Sequence, residues 1–327
     1  MAAAGLQVQS GIDRLSAIGF GEVVRTIPRH YRLFRQILAR ARTGRYQLAV
    51  LIDYPGFHLR LGEALRRAGV PVLQYIAPQL WAWRPGRIRR VVRAVDRLAV
   101  ILPFETAWFG ARGVDCRFVG HPLLDRTWPG RDQARVQLKL QSPGPVLGIF
   151  PGSRAREIEQ NWPLFREVAN RLLAEGRCVA AVVAATPGGY YPEAGQIRVV
   201  RAAAELVLAA ATAALVKSGT ATLEAALTGT PIVVAYRSAW PTYTIARLLM
   251  TVERISLLNL VAGADVVPEF WHLPVRSEPL VSALRPLLDE HSANHRAQVS
   301  GFARVRERLG TPGAAERVAD LARELAG

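Results

Sequence analysis

Lysine is nearly missing from this chain of 327 residues: Lys139 and Lys217 stand beside 40 arginines, a skew we read as coding bias rather than chemistry. Cysteine is also scarce. Cys116 and Cys178 are far apart and lack metal-ligand spacing, which excludes a disulfide scaffold and fits a reducing compartment. No long hydrophobic run exists. The longest, Leu206 to Val216, is broken by Thr212 and falls well short of the ~20 residues a spanning helix needs. The first residues, Met1 to Gly5, show no basic stretch followed by an apolar core, so they do not read as a secretory signal. No His, Cys and carboxylate cluster suggests a metal, and no Ser/His/Asp ordering stands out. Neither the Gly-x-Gly-x-x-Gly of dinucleotide folds nor the Gly-Lys-Ser/Thr of a P-loop is present, and no nucleic-acid module is recognisable.

What is present is apolar and basic. Hydrophobic residues make up 50% and charged residues 21%, which excludes whole-chain disorder. The length suggests two domains, each able to bury a core. The net charge of +16 is unevenly spread. Residues 1–130 hold 20 basic against 8 acidic side chains, and the remainder 22 against 18. A basic N-terminal half points to an anionic partner: a nucleic acid, a phosphorylated substrate or an acidic membrane surface.

Apolar periodicity predicts strands at 48–52, 72–76, 98–102 and 116–119, with helices at 27–41, 59–68, 88–95 and from Glu105. The short continuous apolar runs are those of strands buried on both faces. A polar stretch from Asp125 to Gln141 marks a boundary, and we divide the chain into domains 1–135 and 136–327. Strands at 146–150, 179–184, 197–200, 213–216 and 231–235 follow. A helix over 156–173 is interrupted at Pro163, another spans 221–227, and helices dominate to the end. Alternating strands and helices predict two doubly wound, Rossmann-like α/β domains with a ligand cleft between them.

Five stretches could carry chemistry. Phe150-Pro151-Gly152-Ser153-Arg154 joins a buried strand to a helix. Gly152 allows close backbone approach, Ser153 can cap the helix, and its N-terminal amides suit a phosphate whose charge Arg154 could neutralise. The other reading is an ordinary capped junction. Lys217-Ser218-Gly219-Thr220 opens a second helix, with Glu224 one turn in, placed either to accept ribose hydroxyls or simply to favour the positive helix end. Asp53 closes a buried strand and reads as a general base or as a turn cap before Pro55-Gly56. The loop Trp81-Ala82-Trp83-Arg84 is aromatic and cationic, fit to stack on a sugar, to touch a membrane or to anchor itself. Asn259 is a lone polar group in an apolar run and needs partners, either nucleotide or backbone. His121, in Gly120-His121-Pro122, reads as an interdomain structural residue.

Together these motifs resemble the lipid-A-disaccharide synthase family, inverting glycosyltransferases of GT-B architecture. The matching stretches are IDYPGF, APQLWAWR, LPFE, RFVGHP, FPGSR, KSGTATLEAALTGTPIVVAYR and SLLNLVAG followed by VPEF, in the family's order over most of the chain. The resemblance implies transfer from UDP-2,3-diacylglucosamine to the 6-hydroxyl of 2,3-diacylglucosamine 1-phosphate. It implies no metal or organic cofactor, no nucleic-acid partner, and leaves room for a homodimer. By the same resemblance Asp53 is the base and Arg154 lies near the diphosphate. Gly152, Ser153, Ser218, Gly219, Thr220, Glu224, Tyr236 and Asn259 surround UDP. The chain would then sit in the cytoplasm, peripheral on the inner face of the cytoplasmic membrane. Ile18, Phe20, Val23 and Val24, with Ile27 beside Arg25, Arg29 and Arg32, would form an apolar, basic surface toward acyl chains and anionic lipid, joined by Trp81, Trp83 and Arg84.

Two departures follow from the same resemblance. The family begins with a strand–loop–helix bearing Gly-Glu-x-Ser-Gly-Asp, which this sequence does not contain, so the N-terminal domain is expected to be incomplete, its first sheet one strand short. The segment Thr186 to Gln196 is also shorter than the family's.

Overall fold

The computed structural model describes residues 20–140, 142–237, 250–272 and 274–327. It opens with a long helix, α1 (Phe20–Ala41), which packs on the helix that follows the first strand. Four parallel strands then form one sheet in chain order: β1 (Ala49–Ile52), β2 (Val72–Tyr75), β3 (Arg97–Val100) and β4 (Cys116–Phe118). Their connections include α2 (Pro55–Arg67), α3 (Ile88–Ala94) and α4 (Glu105–Gly110). Leu61 and Leu65 of α2 and Val91 and Ala94 of α3 share a core with Val72, Leu98 and Val100 of the sheet. The α2–α3 crossing is close because of Gly62. A Cβ there would lie 2.4 Å from the Ala94 carbonyl oxygen.

The opposite face of this sheet is covered from the far end of the chain. Val318 and Leu321, on the last helix (Ala314–Ala326), pack on Leu73, Ala99 and Val119. Arg317 Nε donates to the Val119 carbonyl at 2.8 Å, and the Gly313 amide donates to Asp125 Oδ1 at 2.5 Å. His121 is interdomain, as expected, its amide bonded to the Leu309 carbonyl at 2.9 Å. Packing crosses the expected division at residue 135 from both sides. Helix α5 (Arg131–Gln137) packs on the second unit, where Arg135 donates to Ala210 O and Thr212 Oγ1. The last helix belongs to the first unit. Charge and composition could not show this, because a helix that returns across a domain boundary is written in the same amphipathic pattern as one that does not.

The second sheet has six parallel strands in the order β10-β9-β8-β5-β6-β7. These are β5 (Val146–Phe150), β6 (Ala180–Ala184), β7 (Arg198–Val200), β8 (Ala213–Val216), β9 (Ile232–Ala235) and β10 (Glu269–Phe270). All residues of β5, β8 and β9 are buried, as their unbroken apolar runs predict. Strand order reverses between β5 and β8, and such a switch point opens a crevice at the strands' carboxyl ends. Among the described residues the first sheet has no such reversal, and its second face is covered by the returning last helix. Among the same residues β1 is an edge strand, with Val50 and Ile52 each 42% exposed.

The expected break at Pro163 does not occur. Helix α6 (Ala155–Ala174) runs straight through it. An interior proline costs about 3 kcal/mol. Ile158, Trp162, Phe165, Val168 and Leu172 are fully buried against the sheet, each worth about 1.5–3 kcal/mol, and outweigh it.

Candidate active site

The crevice between β5 and β8 gathers the phosphate-suited loops. After β5 the chain turns at Gly152, whose φ of 147° lies outside ordinary L-residue territory. A Cβ there would stand 2.5 Å from Glu157 Cβ. Ser153 does not cap α6 with its side chain. Instead its amide donates to Glu157 Oε2 at 3.0 Å, a carboxylate reaching back from the first turn. Glu157 Oε1 also lies 3.2 Å from Arg154 and 3.2 Å from Lys217 Nζ. Burial works to raise the pKa of Glu157, but Lys217, the Ser153 amide and Arg154 outweigh it and hold it below the ordinary carboxylate range. Lys217 Nζ also sits over the Tyr236 ring, 5.3 Å from its centroid. Burial, reinforced by Glu157 and opposed by Arg154, raises the Tyr236 phenol. Two cations, Arg154 and Lys217, thus share one carboxylate at the mouth of the sheet. The Arg154 side chain is 75% exposed and projects from the helix start.

After β8, Ser218 Oγ donates to the Ile255 carbonyl at 2.6 Å, tying this loop to the segment before Ser256. Gly219 and Thr220 lead into α8 (Ala221–Thr228), which has no side-chain cap; Thr222 turns inward to bond Gly219 O. Glu224 is half-buried in the first turn, 4.0 Å from Arg126, which itself holds Glu205 at 2.8 Å. Burial raises the Glu224 carboxyl, Arg126 opposes this and Glu205 adds to it.

Asn259 requires a correction. Its amide is consumed internally: Nδ2 donates to Val267 O at 2.8 Å and Glu269 Oε1 at 2.7 Å, and Oδ1 accepts from the amides of Val266 and Val267. It is fully buried and has no group left for a nucleotide. Glu269 completes this network, accepting from the Ile255 and Ser256 amides and from Ser256 Oγ. The pair fixes the short helix Leu257–Ala262 and, through Ile255, the carbonyl that holds Ser218.

At the first sheet, Asp53 follows β1 with φ 51°, Tyr54 has φ 49° and Ile76, after β2, has φ 69°. A β-branched residue in this left-handed region is a true outlier, and three strained residues at neighbouring strand ends mark a constrained site. One side chain spans two of them. Buried Gln74 Nε2 lies within hydrogen-bond reach of the carbonyls of Asp53 (3.1 Å), Tyr75 (3.3 Å) and Ile76 (3.3 Å), which share its two hydrogens. His58 Nδ1 makes a 2.7 Å hydrogen bond to the Asp53 carbonyl; burial lowers its pKa despite that bond and the nearby Asp53 charge. The Asp53 carboxylate itself is exposed.

The tryptophan loop joins the two units. Trp83 pairs with Met250 in an antiparallel bridge, and Thr251 bonds the carbonyls of Ala82 and Trp81. Trp81 is another correction. It is buried, its Nε1 donating to Glu105 Oε1 at 2.9 Å and its ring edge-on to Phe104. It anchors the loop and faces no acyl chain. Trp83 is 41% exposed, and Arg84 is exposed with a left-handed backbone of φ 52°. Ile18 lies outside the described residues, as do the side chains of Phe20, Val23 and Val24.

The structure therefore brings Gly152, Ser153, Arg154 and Tyr236 together around Glu157 and Lys217, with Ser218 to Thr220 on the adjoining strand end. Asp53 stands at the other sheet, and no hydrogen bond or ion pair joins it to Arg154 among the described residues. The sequence singles out none of Gln74, Glu105, Glu157 and Glu269, although Glu105 and Glu269 stand in the matching stretches LPFE and VPEF. Gln74 shows there as a polar residue inside an apolar run, the signal that singles out Asn259.

Comparison with known proteins gives a consistent result. The sequence pattern of the family described as lipid-A-disaccharide synthetase matches residues 1–317. A lipid-A-disaccharide synthase of Anaeromyxobacter dehalogenans is 37% identical, with 97% of this chain and 85% of that protein aligned. Among solved structures, sucrose-phosphate synthase from Thermosynechococcus elongatus superposes with a TM-score of 0.62 at 16% identity, covering 98% of this chain and 82% of that one. The Arabidopsis thaliana protein UGT89C1, complexed with UDP, gives 0.62 at 12%, covering 98% and 83%. At such identities the structural neighbours speak to the fold, which is that of GT-B glycosyltransferases.

Proposed function

As the chain belongs to the lipid-A-disaccharide synthetase family and is a UDP-sugar glycosyltransferase of lipid A biosynthesis, we propose that its donor is UDP-2,3-diacylglucosamine. The acceptor is 2,3-diacylglucosamine 1-phosphate. The observation that carries this reading is the crevice at the β5/β8 reversal, where Arg154 and Lys217 converge beside two Gly-containing turns. UDP lies there, its diphosphate against these cations and the amides of Gly152 to Arg154 and Ser218 to Thr220. Glu224 accepts from the ribose hydroxyls, and Tyr236 closes the side of the site.

Asp53 takes the proton of the acceptor 6-hydroxyl while that oxygen bonds to the anomeric carbon of the donor. The bond from that carbon to the diphosphate breaks on the opposite face, and its electron pair leaves with UDP. The product is a β-1,6-linked disaccharide 1-phosphate. Base action of this kind contributes ~10²–10⁴-fold. Preorganised positive charge at the leaving group contributes ~10²–10³-fold, by analogy with other fixed donors. Gln74 and His58 hydrogen-bond Asp53 through its backbone carbonyl and are positioning residues.

The acyl chains require a membrane-facing surface. Among the described residues no helix is long and apolar enough to cross a bilayer. Helix α1 instead exposes Ile27 and Tyr31 beside Arg29 and Arg32, the mixture that suits an anionic interface, and we place the protein peripherally at such a surface, on the cytoplasmic side of the cytoplasmic membrane. The test is product analysis with diacylated donor and acceptor against unacylated UDP-N-acetylglucosamine. The reading requires UDP and a disaccharide phosphate from the diacylated pair alone; equal turnover of the unacylated donor would remove it.

A further inference from the structure

The mouth of the first sheet holds a second feature that the reaction scheme above leaves unused. The second turn of α2, the tryptophan loop and the start of α3 place Arg60, Arg84, Arg87 and Arg90 around one pocket of about 350 Å³, with Gly56 and Trp83 also in its lining. No carboxylate lines it. Among the described residues the guanidinium groups of Arg60, Arg84 and Arg87 have no hydrogen bond or ion pair. Arg90 has only Glu63, at 3.7 Å, and that one carboxylate is shared with Arg67 at 3.8 Å and Arg93 at 3.4 Å.

The neighbouring basic cleft shows what a structural arginine looks like here. Arg66 lies 2.9 Å from Asp96 and donates to the carbonyls of Val92 and Arg93, so its charge is used by the fold. The four arginines of the pocket are not used in this way. Like charges held around one concavity repel one another, and the arrangement is favourable only when an anion enters. Arg84 is moreover kept in a left-handed backbone at this spot, a strained conformation typical of ligand clamps.

We propose that this pocket binds the phosphomonoester of the acceptor, with Arg60, Arg84, Arg87 and Arg90 as its ligands. The proposal rests on the reading of Asp53 as the base toward a sugar phosphate. Asp53 and Tyr54 lead directly into Pro55 and Gly56 of the pocket wall. In a glucosamine 1-phosphate the ring oxygen is flanked by C1, which bears the phosphate, and C5, which carries C6 and its hydroxyl. Anchoring the phosphate in the pocket sets the sugar beside Asp53 and decides which hydroxyl meets the base. Regioselectivity then comes from one strong contact rather than from recognition of each hydroxyl, and arginine suits that role because its planar fork matches phosphate.

The test separates the pocket from the reaction. Glucosamine 1-phosphate, glucosamine and inorganic phosphate are titrated into the protein by calorimetry, with Arg60→Gln and Arg87→Gln as variants at exposed positions that the fold does not use. Glucosamine 1-phosphate should bind and glucosamine should not. Each variant should weaken glucosamine 1-phosphate by about 10- to 100-fold, the cost of one charge-assisted hydrogen bond, and leave UDP affinity unchanged. Folded variants that bind glucosamine 1-phosphate like the parent overturn the proposal. So does a parent protein that takes glucosamine as well as its phosphate. Phosphatidylglycerol vesicles form a further arm: variants that lose vesicle binding but keep glucosamine 1-phosphate show a lipid-headgroup site and overturn it too. The parent's turnover of the diacylated acceptor judges the reading of Asp53 separately, because the titrations need no catalysis.

Discussion

Asp53 is where a single atom pair decides the chemistry. Asp53→Asn keeps the hydrogen-bonding shape and removes the base, so turnover should fall ~10²–10⁴-fold while calorimetric UDP affinity stays near that of the parent. An unchanged rate would reduce Asp53 to a turn residue. Glu105 is the other residue whose ionisation matters, through stability. Burial pushes its carboxyl up to about 7 against the opposing pull of its bonds from Trp81 Nε1 and the Leu102 amide. The folded chain thus holds this proton over a range, from about pH 4.5 to 7, in which the unfolded chain releases it. Stability from this group is complete below that range and is lost as pH rises through it, on the order of 3 kcal/mol. Glu105→Gln should flatten the fall in melting temperature between pH 5 and pH 8. Because Trp81 anchors the loop that carries Trp83 and Arg84, the same variant shows whether the loop's position follows this proton.

The strand–turn–helix joining β5 to α6 works as one element. Its turn depends on Gly152, and its charge balance on Glu157 shared between Arg154 and Lys217. Gly152→Ala would force a side chain into Glu157 at a φ that L-residues avoid, costing about 1–3 kcal/mol. The expected result is weaker UDP binding with the second unit still folded, checked by calorimetry and circular dichroism together. The location of this element was legible from the sequence, because a fully buried strand before Pro-Gly-Ser-Arg has few other readings. Its wiring was not. Ser153 looked like the cap, yet the acceptor comes from Glu157, one turn later, and only the local fold shows that a longer side chain reaches back.

At the scale of the molecule, the last helix makes two units into one structure. It covers the face of the first sheet that the connecting helices leave bare, while the chain before it runs along the second unit. Ending the protein at Gly313 removes Val318 and Leu321 from Leu73, Ala99 and Val119, at about 1.5–3 kcal/mol for each side chain lost. Such a protein should melt at a lower temperature and bind an apolar dye, with the first unit unfolding before the second; a single transition at the parent's temperature would argue against that coupling. The excess positive charge of residues 1–130 belongs to the same scale. Flotation with anionic vesicles should be strong at low salt and weaken as ionic strength rises, since screening acts over about 10 Å at 0.1 M. Absence of binding at low salt would remove the membrane placement.

Unbroken apolar runs such as Val146 to Phe150 and Ala213 to Val216, alternating with helical stretches, fit strands of a parallel sheet buried on both faces, so the α/β class, the strand positions and the phosphate-suited turns were legible in the sequence. The order of the strands was not, because it depends on which crossovers pass each other, and nothing local encodes the reversal between β5 and β8 that puts the two turns side by side. The same limit explains the corrections. Asn259 and Trp81 carry the polar and aromatic chemistry of ligand contacts, but what a side chain touches depends on residues distant in the chain, Glu269 for one and Glu105 for the other. Composition already showed that the first unit is basic. Only packing separates Arg66, whose charge the fold consumes through Asp96, from Arg60, Arg84 and Arg87, whose charge it leaves for a ligand.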